Sequence, residues 1–167
     1  MSKNRDIFIS ILENHKGIIY KIVNSYCKEF EDRQDLIQEI VIQLWLSFDK
    51  YDDRFKLSTW IYRIALNTSI SYYRKNKIRK KKNFTASAIL ETTLKADEPF
   101  QENTDFNKLL GFIQELKNVD KALILLYLDG LNQKEIAKII GITATNVGTK
   151  IARIKKTLKE KFQTLKE

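Results

Sequence analysis

The sequence predicts an all-α protein made of two small helical domains joined by a flexible linker. Apolar residues recur at helical spacing over residues 6–77 and 106–165, and they do not alternate with polar residues as they would in strands. The segment between these blocks holds the only proline, Pro99, and is rich in Ser, Thr, Glu and Asp, as loops are. The predicted units are a first domain at residues 1–80, a linker at 81–104 and a second domain at 105–167.

The overall composition is typical of a folded, basic protein. The chain has 30 Lys and Arg against 21 Asp and Glu, a net charge of +9, and 43% of its residues are hydrophobic. This balance indicates an anionic partner, either nucleic acid or an anionic membrane surface. The single cysteine, Cys27, excludes an internal disulfide and a cysteine-rich zinc site, so we expect it to be a small buried side chain.

The opening residues, MSKNRDIFISILENHKG, lack the apolar core and the small-residue cleavage site of a signal peptide. No segment approaches the ~20 apolar residues that a membrane span requires. We therefore expect a cytoplasmic protein without membrane insertion.

The stretch DLIQEIVIQLWLSF is predicted to be a helix with two different apolar surfaces. Its broad face, predicted to be core, holds Ile37, Ile40, Val41, Leu44, Trp45 and Phe48. On the opposite side, Asp35, Gln38, Glu39 and Gln43 surround Ile42 and Leu46. Apolar residues ringed by acids on a solvent face indicate a docking surface for a basic partner helix. The alternative is burial by a third helix of the same domain.

A second helix is predicted in FKLSTWIYRIALNTSISYYRKNKIRKKK, with Ser58 or Thr59 as its cap. Its predicted core stripe consists of Ile61, Ile64, Ala65, Thr68 and Tyr72, and the adjoining face carries Trp60, Arg63, Asn67, Ser71 and Arg74. An aromatic ring interleaved with cations and amides suits single-stranded nucleic acid, because bases stack on rings while cations follow the phosphates. The alternative interpretation of the basic run over 74–82 is a solvated charged segment.

For the predicted linker, the alternative interpretation is a short helix over 86–94.

The segment LNQKEIAKIIGITATNVGTKIARIKKTL predicts a helix-turn-helix. Asn132 and Glu135 have capping-box spacing, Gly141 can adopt the positive φ that ends the first helix, and Thr143 can cap the second. Two apolar stripes complete the pattern, one of Leu131, Ile136, Ile139 and Ile140 and one of Val147, Ile151, Ile154 and Leu158, with small Ala137 on the inner face.

Burial of the second stripe would leave short polar groups and cations on the outside of the second helix. The outward residues are Thr145, Asn146, Thr149, Lys150 and Arg153. Such a face suits insertion into a DNA major groove with phosphates alongside. The alternative is an ordinary helical hairpin with a solvated basic face.

The residues give little support to catalysis. The sole histidine, His15, has no nucleophile or carboxylate constellation around it in sequence, and the adjacent Asp52 and Asp53 are more typical of a turn than of a metal site. The chain also lacks a glycine-rich phosphate loop. We therefore expect no catalytic residues, no metal and no cofactor.

Two separated segments together resemble one family. DLIQEIVIQLWLSFDKYDDRFKLSTWIYRIALNTSISYYRK resembles region 2 of bacterial sigma factors, and ALILLYLDGLNQKEIAKIIGITATNVGTKIARIKKTLK resembles their region 4. With only a linker between them, the chain looks like a member of the group IV, or extracytoplasmic-function (ECF), subfamily of the sigma-70 family. The resemblance covers nearly the whole chain, and the order of the two segments makes it specific.

The resemblance implies a non-enzymatic subunit that binds core RNA polymerase, directs it to promoters and helps to open the −10 DNA. By matching positions, it places docking on the β′ clamp helices at Asp35, Gln38, Glu39, Ile42 and Leu46. It places −10 DNA binding at the loop over 51–58 and at Lys56, Ser58, Trp60, Arg63, Asn67 and Arg74. It places −35 DNA binding at Thr145, Asn146, Thr149, Lys150 and Arg153. The β flap is a further implied contact, with Leu125, Leu126, Leu158 and Phe162 as candidates, and an anti-sigma factor is a frequent partner in the family.

The recognition helix departs from the family pattern at two places. Family members often carry Gly-Thr-Val at its start and His-Arg-Ala further along, whereas this chain has Thr145-Asn146-Val147 and Ala152-Arg153-Ile154. The departure at Asn146 predicts an altered base preference. The alternative function is a conventional dimeric helix-turn-helix regulator whose N-terminal helices dimerise or bind a ligand.

Overall fold

A computed structural model describes residues 2–83 and 104–165, and these two parts of the chain are helices joined by short turns. The helices are α1 (Ser2–Tyr26), α2 (Phe30–Phe48), α3 (Leu57–Asn83), α4 (Thr104–Glu115), α5 (Asn118–Leu128), α6 (Gln133–Ile140) and α7 (Ala144–Thr164). The predicted all-α fold is therefore confirmed for the described residues. Most of the predicted linker, and the alternative helix over 86–94, lie outside them.

We call residues 2–83 the first half and residues 104–165 the second half. In the first half, α1, α2 and α3 pack against one another in all three pairings. Ile40 and Leu44 are fully buried, as predicted, and Leu36, which the periodicity had not assigned to the core, is fully buried with them. These three residues recur at intervals of four and form the seam that α2 presents to both neighbouring helices.

One core assignment on α2 is wrong. Trp45 was predicted to be buried, but its side chain is 45% exposed. Its ring packs edge-on against Phe8, with ring centres 5.0 Å apart, and this contact covers only part of the indole. Ile37, Val41 and Phe48 are half-buried at the borders of the core.

The beginning of α3 and its buried face also differ from the prediction. The helix begins at Leu57, so Ser58 and Thr59 lie in its first turn and neither is the cap; the amide of Trp60 already donates to the carbonyl of Lys56 at 3.2 Å. Ile61 and Ala65 are buried as predicted, while Ile64, Thr68 and Tyr72 are half-buried. A second stripe is buried in addition, made of Tyr62, Leu66 and Ser69.

Helix α5 lies at the centre of the molecule. Six consecutive residues, Lys121 to Leu126, are buried. A helix buried on all sides needs neighbours all round it, and α5 contacts α4, α6 and α7 on one side and α3 of the first half on the other. The halves also meet where α1 contacts α4 and α3 contacts α6. The two helical units are therefore packed together, which the sequence pattern did not predict.

Ile40→Ala is expected to lower the free energy of unfolding by roughly 2–5 kcal/mol, because it removes most of a fully buried side chain and leaves a cavity. The matched control is Ile42→Ala on the same helix, where the side chain is 50% exposed and the expected change stays within about 0.5 kcal/mol. Urea unfolding followed by circular dichroism measures both. Equal losses for the two variants would contradict the packing of α2 described above.

Candidate functional site

The first helix of the helix-turn-helix is held at both ends by the predicted residues. The side-chain oxygen of Asn132 accepts from the amide of Glu135 at 3.0 Å, and the Glu135 carboxylate accepts from the amide of Asn132 at 3.1 Å. At the other end, Gly141 has a φ of 83° and its amide donates to the carbonyl of Ala137 at 2.8 Å. The capping box and the left-handed glycine are both confirmed.

The second helix, α7, begins and packs as predicted. The hydroxyl oxygen of Thr143 accepts from the amide of Asn146 at 3.2 Å. Four apolar residues along the helix are buried, namely Val147, Ile151, Ile154 and Leu158. A β-carbon at Gly148 would lie 3.0 Å from the side-chain nitrogen of Gln133, so glycine here leaves room for the end of that side chain between the two helices. The helix pair is therefore a compact unit with a fixed outward face.

That outward face carries the residues predicted to contact DNA. Thr145, Asn146, Thr149 and Arg153 are exposed, and Lys150 is half-buried. The hydroxyl of Thr149 donates to the carbonyl of Thr145 at 3.1 Å, which turns it towards its own helix. Arg153 lies 3.6 Å from the carboxylate of Asp120 and remains largely exposed, so it is oriented but still accessible. The face is thus polar, cationic and open, as a recognition helix requires.

Gly141→Ala is expected to lower the free energy of unfolding by about 1–2 kcal/mol, because a side chain disfavours the left-handed conformation that ends α6. Gly111→Ala is the matched control: Gly111 lies inside α4 with open space around its α-carbon, and alanine there is expected to stabilise the helix by roughly 0.5–1 kcal/mol. Thermal unfolding of both variants tests the contrast. A stabilised Gly141→Ala protein would contradict the turn geometry.

The second candidate surface is the outer side of α2. Ile42 is 50% exposed and Leu46 is 65% exposed, whereas Leu36, Ile40 and Leu44 on the opposite side of the helix are fully buried. Asp35 and Gln38 are exposed beside them, while Glu39 is half-buried and accepts from the side chain of Gln43 at 3.0 Å. Burial of this side by a third helix is contradicted for the described residues.

Sequence reasoning missed Trp45 as part of this surface. Its exposed edge continues the apolar patch, because residues three and four apart lie on the same side of a helix and Trp45 follows Ile42 by three. The patch of Ile42, Trp45 and Leu46, which we call the α2 patch, is larger than the periodicity predicted. The periodicity assigned Trp45 to the core, so the sequence did not predict that it would belong to this exposed patch.

The third candidate surface comprises the loop after α2 and the outer side of α3. Asp52 folds the loop into a turn: its carboxylate accepts from the amide of Arg54 at 3.1 Å, and the Arg54 guanidinium beside it lowers the pKa of that carboxyl. The Tyr51 hydroxyl donates to the carbonyl of Phe55 at 2.6 Å. The loop is therefore ordered by its own residues, and Asp52 acts in a turn, as predicted.

The predicted nucleic-acid residues around this loop differ in exposure. Lys56, Arg63, Asn67 and Arg74 are exposed, and Ser58 is half-buried. Trp60 is also half-buried, with its ring centre 5.2 Å from that of Tyr51 and 6.4 Å from that of Phe48. It is therefore a support for the loop rather than a free ring. Phe55 lies in the same loop and is 48% exposed, but the sequence analysis did not include it among the nucleic-acid-binding residues. An aromatic residue in a charged turn could have indicated a surface on which a base stacks.

An apolar groove of about 530 Å³ lies on the second half between α4, α5 and α7. Its walls include Leu109, Ile124, Tyr127, Leu128 and Phe162, and its rim carries Lys155, Lys156 and Lys159. Of the four β-flap candidates, Leu125 and Leu126 are buried away from the groove, whereas buried Leu158 and half-buried Phe162 line it. Sequence reasoning missed the groove because its walls come from three helices.

Within residues 2–83 and 104–165, no three His, Cys, Asp or Glu side chains are grouped so that they could hold a metal ion. Cys27 is buried, as predicted. His15 uses its Nδ1 in a 2.9 Å contact with the carbonyl of Ile11 one turn earlier. Among the helices that the structure describes, none is both long and apolar enough to cross a membrane.

These surfaces define a class: a helical DNA-binding protein with a helix-turn-helix in one half, a basic and aromatic face in the other, and a separate exposed apolar patch. Comparison with known proteins gives the family. Residues 11–79 match Sigma-70 region 2, and residues 106–158 match Sigma-70, region 4. The chain belongs to the sigma-70 family of RNA polymerase sigma factors, in its ECF group.

Relatives extend over almost the entire chain. ECF RNA polymerase sigma factor SigW of Bacillus subtilis (strain 168) is 29% identical over 172 residues, which cover 97% of this chain and 92% of SigW. ECF RNA polymerase sigma factor SigM of the same organism is 29% identical over 153 residues, covering 89% of this chain and 91% of SigM. As a sigma factor, the protein binds core RNA polymerase and promoter DNA and directs transcription initiation at specific promoters.

Solved structures share the fold. CnrH, in its complex with the cytosolic domain of CnrY, matches with a TM-score of 0.70 and 18% identity over 98% of this chain and 92% of that chain. The sigma factor RpoE of Bartonella quintana, in complex with the anti-sigma factor NepR, matches with a TM-score of 0.69 and 15% identity over 98% of both chains. The two family regions in one chain favour a sigma factor over a conventional dimeric regulator.

Proposed function

We propose that the two promoter contacts are divided between the two ends of the chain. Residues 1–80 dock on polymerase and bind the −10 element, residues 105–167 bind the −35 element, and residues 81–104 link them. The observation that carries this assignment is the presence of the exposed α2 patch and the exposed recognition face on opposite halves of one chain. A protein that only bound DNA would need the recognition face of α7 and would not need the α2 patch.

Charge around the α2 patch supports polymerase as its partner. Asp35 is exposed and Glu39 half-buried beside Ile42 and Leu46. In a two-fold dimer built on this patch, the same acidic residues of both copies would be brought together, and like charges at an interface are unfavourable. A basic partner helix satisfies both the apolar centre and the acidic rim. We infer that Asp35, Gln38, Glu39, Ile42 and Leu46 dock on the β′ clamp helices, with Trp45 extending the contact.

The −10 contact is assigned to the loop over 51–58 and the outer side of α3. Arg63, Asn67 and Arg74 are exposed along one side of this helix, where cations can follow phosphates and an amide can reach a base. Lys56 and Ser58 add a cation and a hydroxyl at its beginning. Trp60 contributes by supporting the loop through Tyr51. Extruding a base costs a few kcal/mol of stacking, which capture of the base in this loop would help to offset.

The −35 contact is assigned to α7. Thr145, Asn146 and Thr149 stand near the start of the helix, where a recognition helix meets base edges, and Lys150 and Arg153 follow at positions suited to phosphates. The lysine-rimmed groove between α4, α5 and α7 offers a place for an apolar element of the β flap.

The proposed setting follows from these partners. A subunit that works with polymerase acts in the cytoplasm and needs no catalytic group of its own, because polymerase performs the chemistry. One structural relative, RpoE, is bound to an anti-sigma factor. We propose that an anti-sigma factor also binds this chain and silences it.

Transcription from sigma-free core polymerase tests the proposed function. The purified chain is added to core enzyme on genomic DNA, and transcript 5′ ends are mapped. We expect defined starts that share paired upstream elements and that disappear when the chain is left out. If no new starts appear while the chain still binds duplex DNA as a dimer, the conventional regulator replaces the sigma factor.

A further inference from the structure

Helix α5 contacts the recognition helix at Arg153. Asp120 lies in the first turn of α5, and its Oδ2 is 3.6 Å from Nη2 of Arg153 on α7. The Asp120 side chain is 16% exposed, whereas that of Arg153 is 64% exposed. The carboxylate is therefore held in place by the fold, and the guanidinium lies beside it in contact with solvent.

Arg153 differs in this respect from the other residues of the recognition face. The hydroxyl of Thr149 donates to the carbonyl of Thr145 in its own helix. Lys155 lies outside that face, at the rim of the apolar groove, with its ammonium 5.0 Å from the ring centre of Tyr127. Among the described residues, Arg153 is the one recognition-face side chain with a partner on another helix. Its direction thus depends on α5 as well as on α7.

The contact with Asp120 leaves most of the guanidinium of Arg153 available. A guanidinium has five N–H donors in a planar fork. At 3.6 Å, Nη2 is within ion-pair distance of the carboxylate but beyond hydrogen-bonding distance. One side of the fork can therefore face Asp120 while Nε and Nη1 donate to a phosphate of DNA.

The position of Arg153 along α7 affects the alignment of the base contacts. Asn146 and Arg153 are seven residues apart, which places them on the same side of the helix and about 10 Å apart along its axis. Phosphate contacts fix the register and orientation of a protein on the duplex, although they carry no sequence information themselves. A guanidinium with a fixed direction at Arg153 therefore determines where Asn146 meets the bases.

Fixing the arginine before binding also lowers the entropy that binding costs. A free arginine side chain has several rotatable bonds, and it loses this freedom when it binds a phosphate. A side chain that is already oriented loses less, so more of the interaction contributes to affinity for a site that fits. A phosphate in any other position gains little from a guanidinium that cannot follow it.

The charge of Asp120 acts in the same direction. The chain has a net charge of +9, and α7 alone carries five lysines. Such cations attract every DNA sequence alike. A carboxylate beside the recognition face repels phosphates and offsets part of this general attraction. Asp120 thus weakens binding to DNA in which Arg153 finds no phosphate at the right position.

We propose that Asp120 is a positioning residue that sets the sequence discrimination of the recognition helix. It holds the Arg153 guanidinium in one direction, so that this cation binds one phosphate of the −35 element and keeps α7 in register with the bases. Through its own charge it weakens binding to other DNA. This inference rests on the proposed assignment of the −35 contact to α7.

Five variants of the full-length chain separate positioning from the other roles of Asp120. Asp120→Asn removes the charge, and Asp120→Glu keeps a carboxylate. Arg153→Ala removes the partner, alone and combined with Asp120→Asn. Asp105→Asn is the matched control, because Asp105 also lies in the first turn of a helix and faces a cation, Lys108, at 3.7 Å. It makes the same change in net charge and in charge near a helix N-terminus.

Nuclear magnetic resonance of the chain without DNA tests the orientation of Arg153 itself. In Asp120→Asn, the order parameter of Nε of Arg153 should fall below about 0.6, the range of flexible groups. It should keep its original value in Asp105→Asn and most of that value in Asp120→Glu. An Arg153 side chain that is flexible in the original chain, or equally ordered without the Asp120 carboxylate, would overturn the positioning role.

Promoter binding by the holoenzyme tests the effect on recognition. The promoter identified by transcript mapping is compared with the same promoter carrying a scrambled −35 element, and the ratio of the two affinities is measured. Asp120→Asn should lower this ratio by about three- to fivefold, the upper range for a partly exposed ion pair, and should raise affinity for the scrambled promoter. Asp105→Asn should leave the ratio unchanged. When Arg153→Ala is already present, Asp120→Asn should change the ratio by less than about twofold.

The holoenzyme measurements distinguish failure of this inference from failure of the proposed function. If Arg153→Ala weakens binding to the intact promoter while Asp120→Asn behaves like Asp105→Asn, the −35 assignment stands and the role of Asp120 is overturned. An equal loss of discrimination from Asp120→Asn with and without Arg153 would also overturn it. If scrambling the −35 element has no effect on the original holoenzyme, the proposed −35 contact fails and the role of Asp120 fails with it.

Discussion

Leu46→Arg is expected to abolish tight binding to core RNA polymerase. Leu46, at 65%, is the most exposed of the three residues of the α2 patch, and an arginine would place a cation where a basic partner helix is expected. Loss of a central apolar contact at an interface costs at least about 2 kcal/mol, and repulsion adds to it, so we expect affinity to fall by roughly 30-fold or more. Fluorescence anisotropy of the labelled chain titrated with core polymerase measures the affinity.

The control for this prediction lies on the same helix. Phe30, the first residue of α2, is 64% exposed, and Phe30→Arg makes the same kind of change outside the α2 patch. We expect Phe30→Arg to bind polymerase within about threefold of the original chain, because surface changes away from an interface have small effects. Both variants should keep their helix content and melting temperature. Unchanged affinity in Leu46→Arg, or equal losses in both, would remove the α2 patch from the polymerase contact.

Asn146→Ala is expected to relax the choice of base within the −35 element. The Asn146 side chain is exposed near the start of α7, and an amide that pairs with a base edge contributes about 1–3 kcal/mol of discrimination. We therefore expect the preferred base at one position to lose roughly ten- to a hundredfold of its advantage over the others. Binding selection from a randomised −35 element, with holoenzyme on an otherwise constant promoter, measures this directly.

Lys150→Ala is the contrasting variant on the same helix. A cation that contacts phosphate does not distinguish bases, so its loss should weaken all sequences alike and reduce the slope of log affinity against log salt by about one. Asn146→Ala should leave that slope unchanged. If Lys150→Ala altered base preference, or Asn146→Ala weakened every sequence equally, the proposed division of α7 between bases and phosphates would be wrong.

The helix-turn-helix was the part of the protein best predicted from sequence. Asn132, Glu135, Gly141 and Thr143 each act on backbone groups within three or four residues of themselves, so their spacing alone specifies both ends of α6 and the beginning of α7. The exposed positions of α7 follow from the same periodicity. The roles of these residues on DNA remain proposals, because spacing shows which side chains are available and not what they contact.

The α2 prediction succeeded only in part, and its errors have a common cause. Periodicity identified Ile40 and Leu44 as core and Ile42 and Leu46 as outward, but it placed Trp45 inside and left Leu36 out. A helical period fixes relative directions around one axis and does not say where the neighbouring helices lie. The positions of α1 and α3 determine which side of a broad apolar face is covered.

The sequence by itself determined the all-α class, the caps of the helix-turn-helix, the polar face of α7 and the order of the two sigma regions, because these depend on residues close together in the chain. Only the tertiary structure decided that α5 is enclosed by both halves, that Asp129 meets Lys21 and Tyr62, and that three helices form the lysine-rimmed groove. Asp129 is 108 residues from Lys21, and no local periodicity records a contact between groups so far apart. Such contacts form when the helices pack so that their apolar faces are buried against one another, and that packing depends on the whole folded chain.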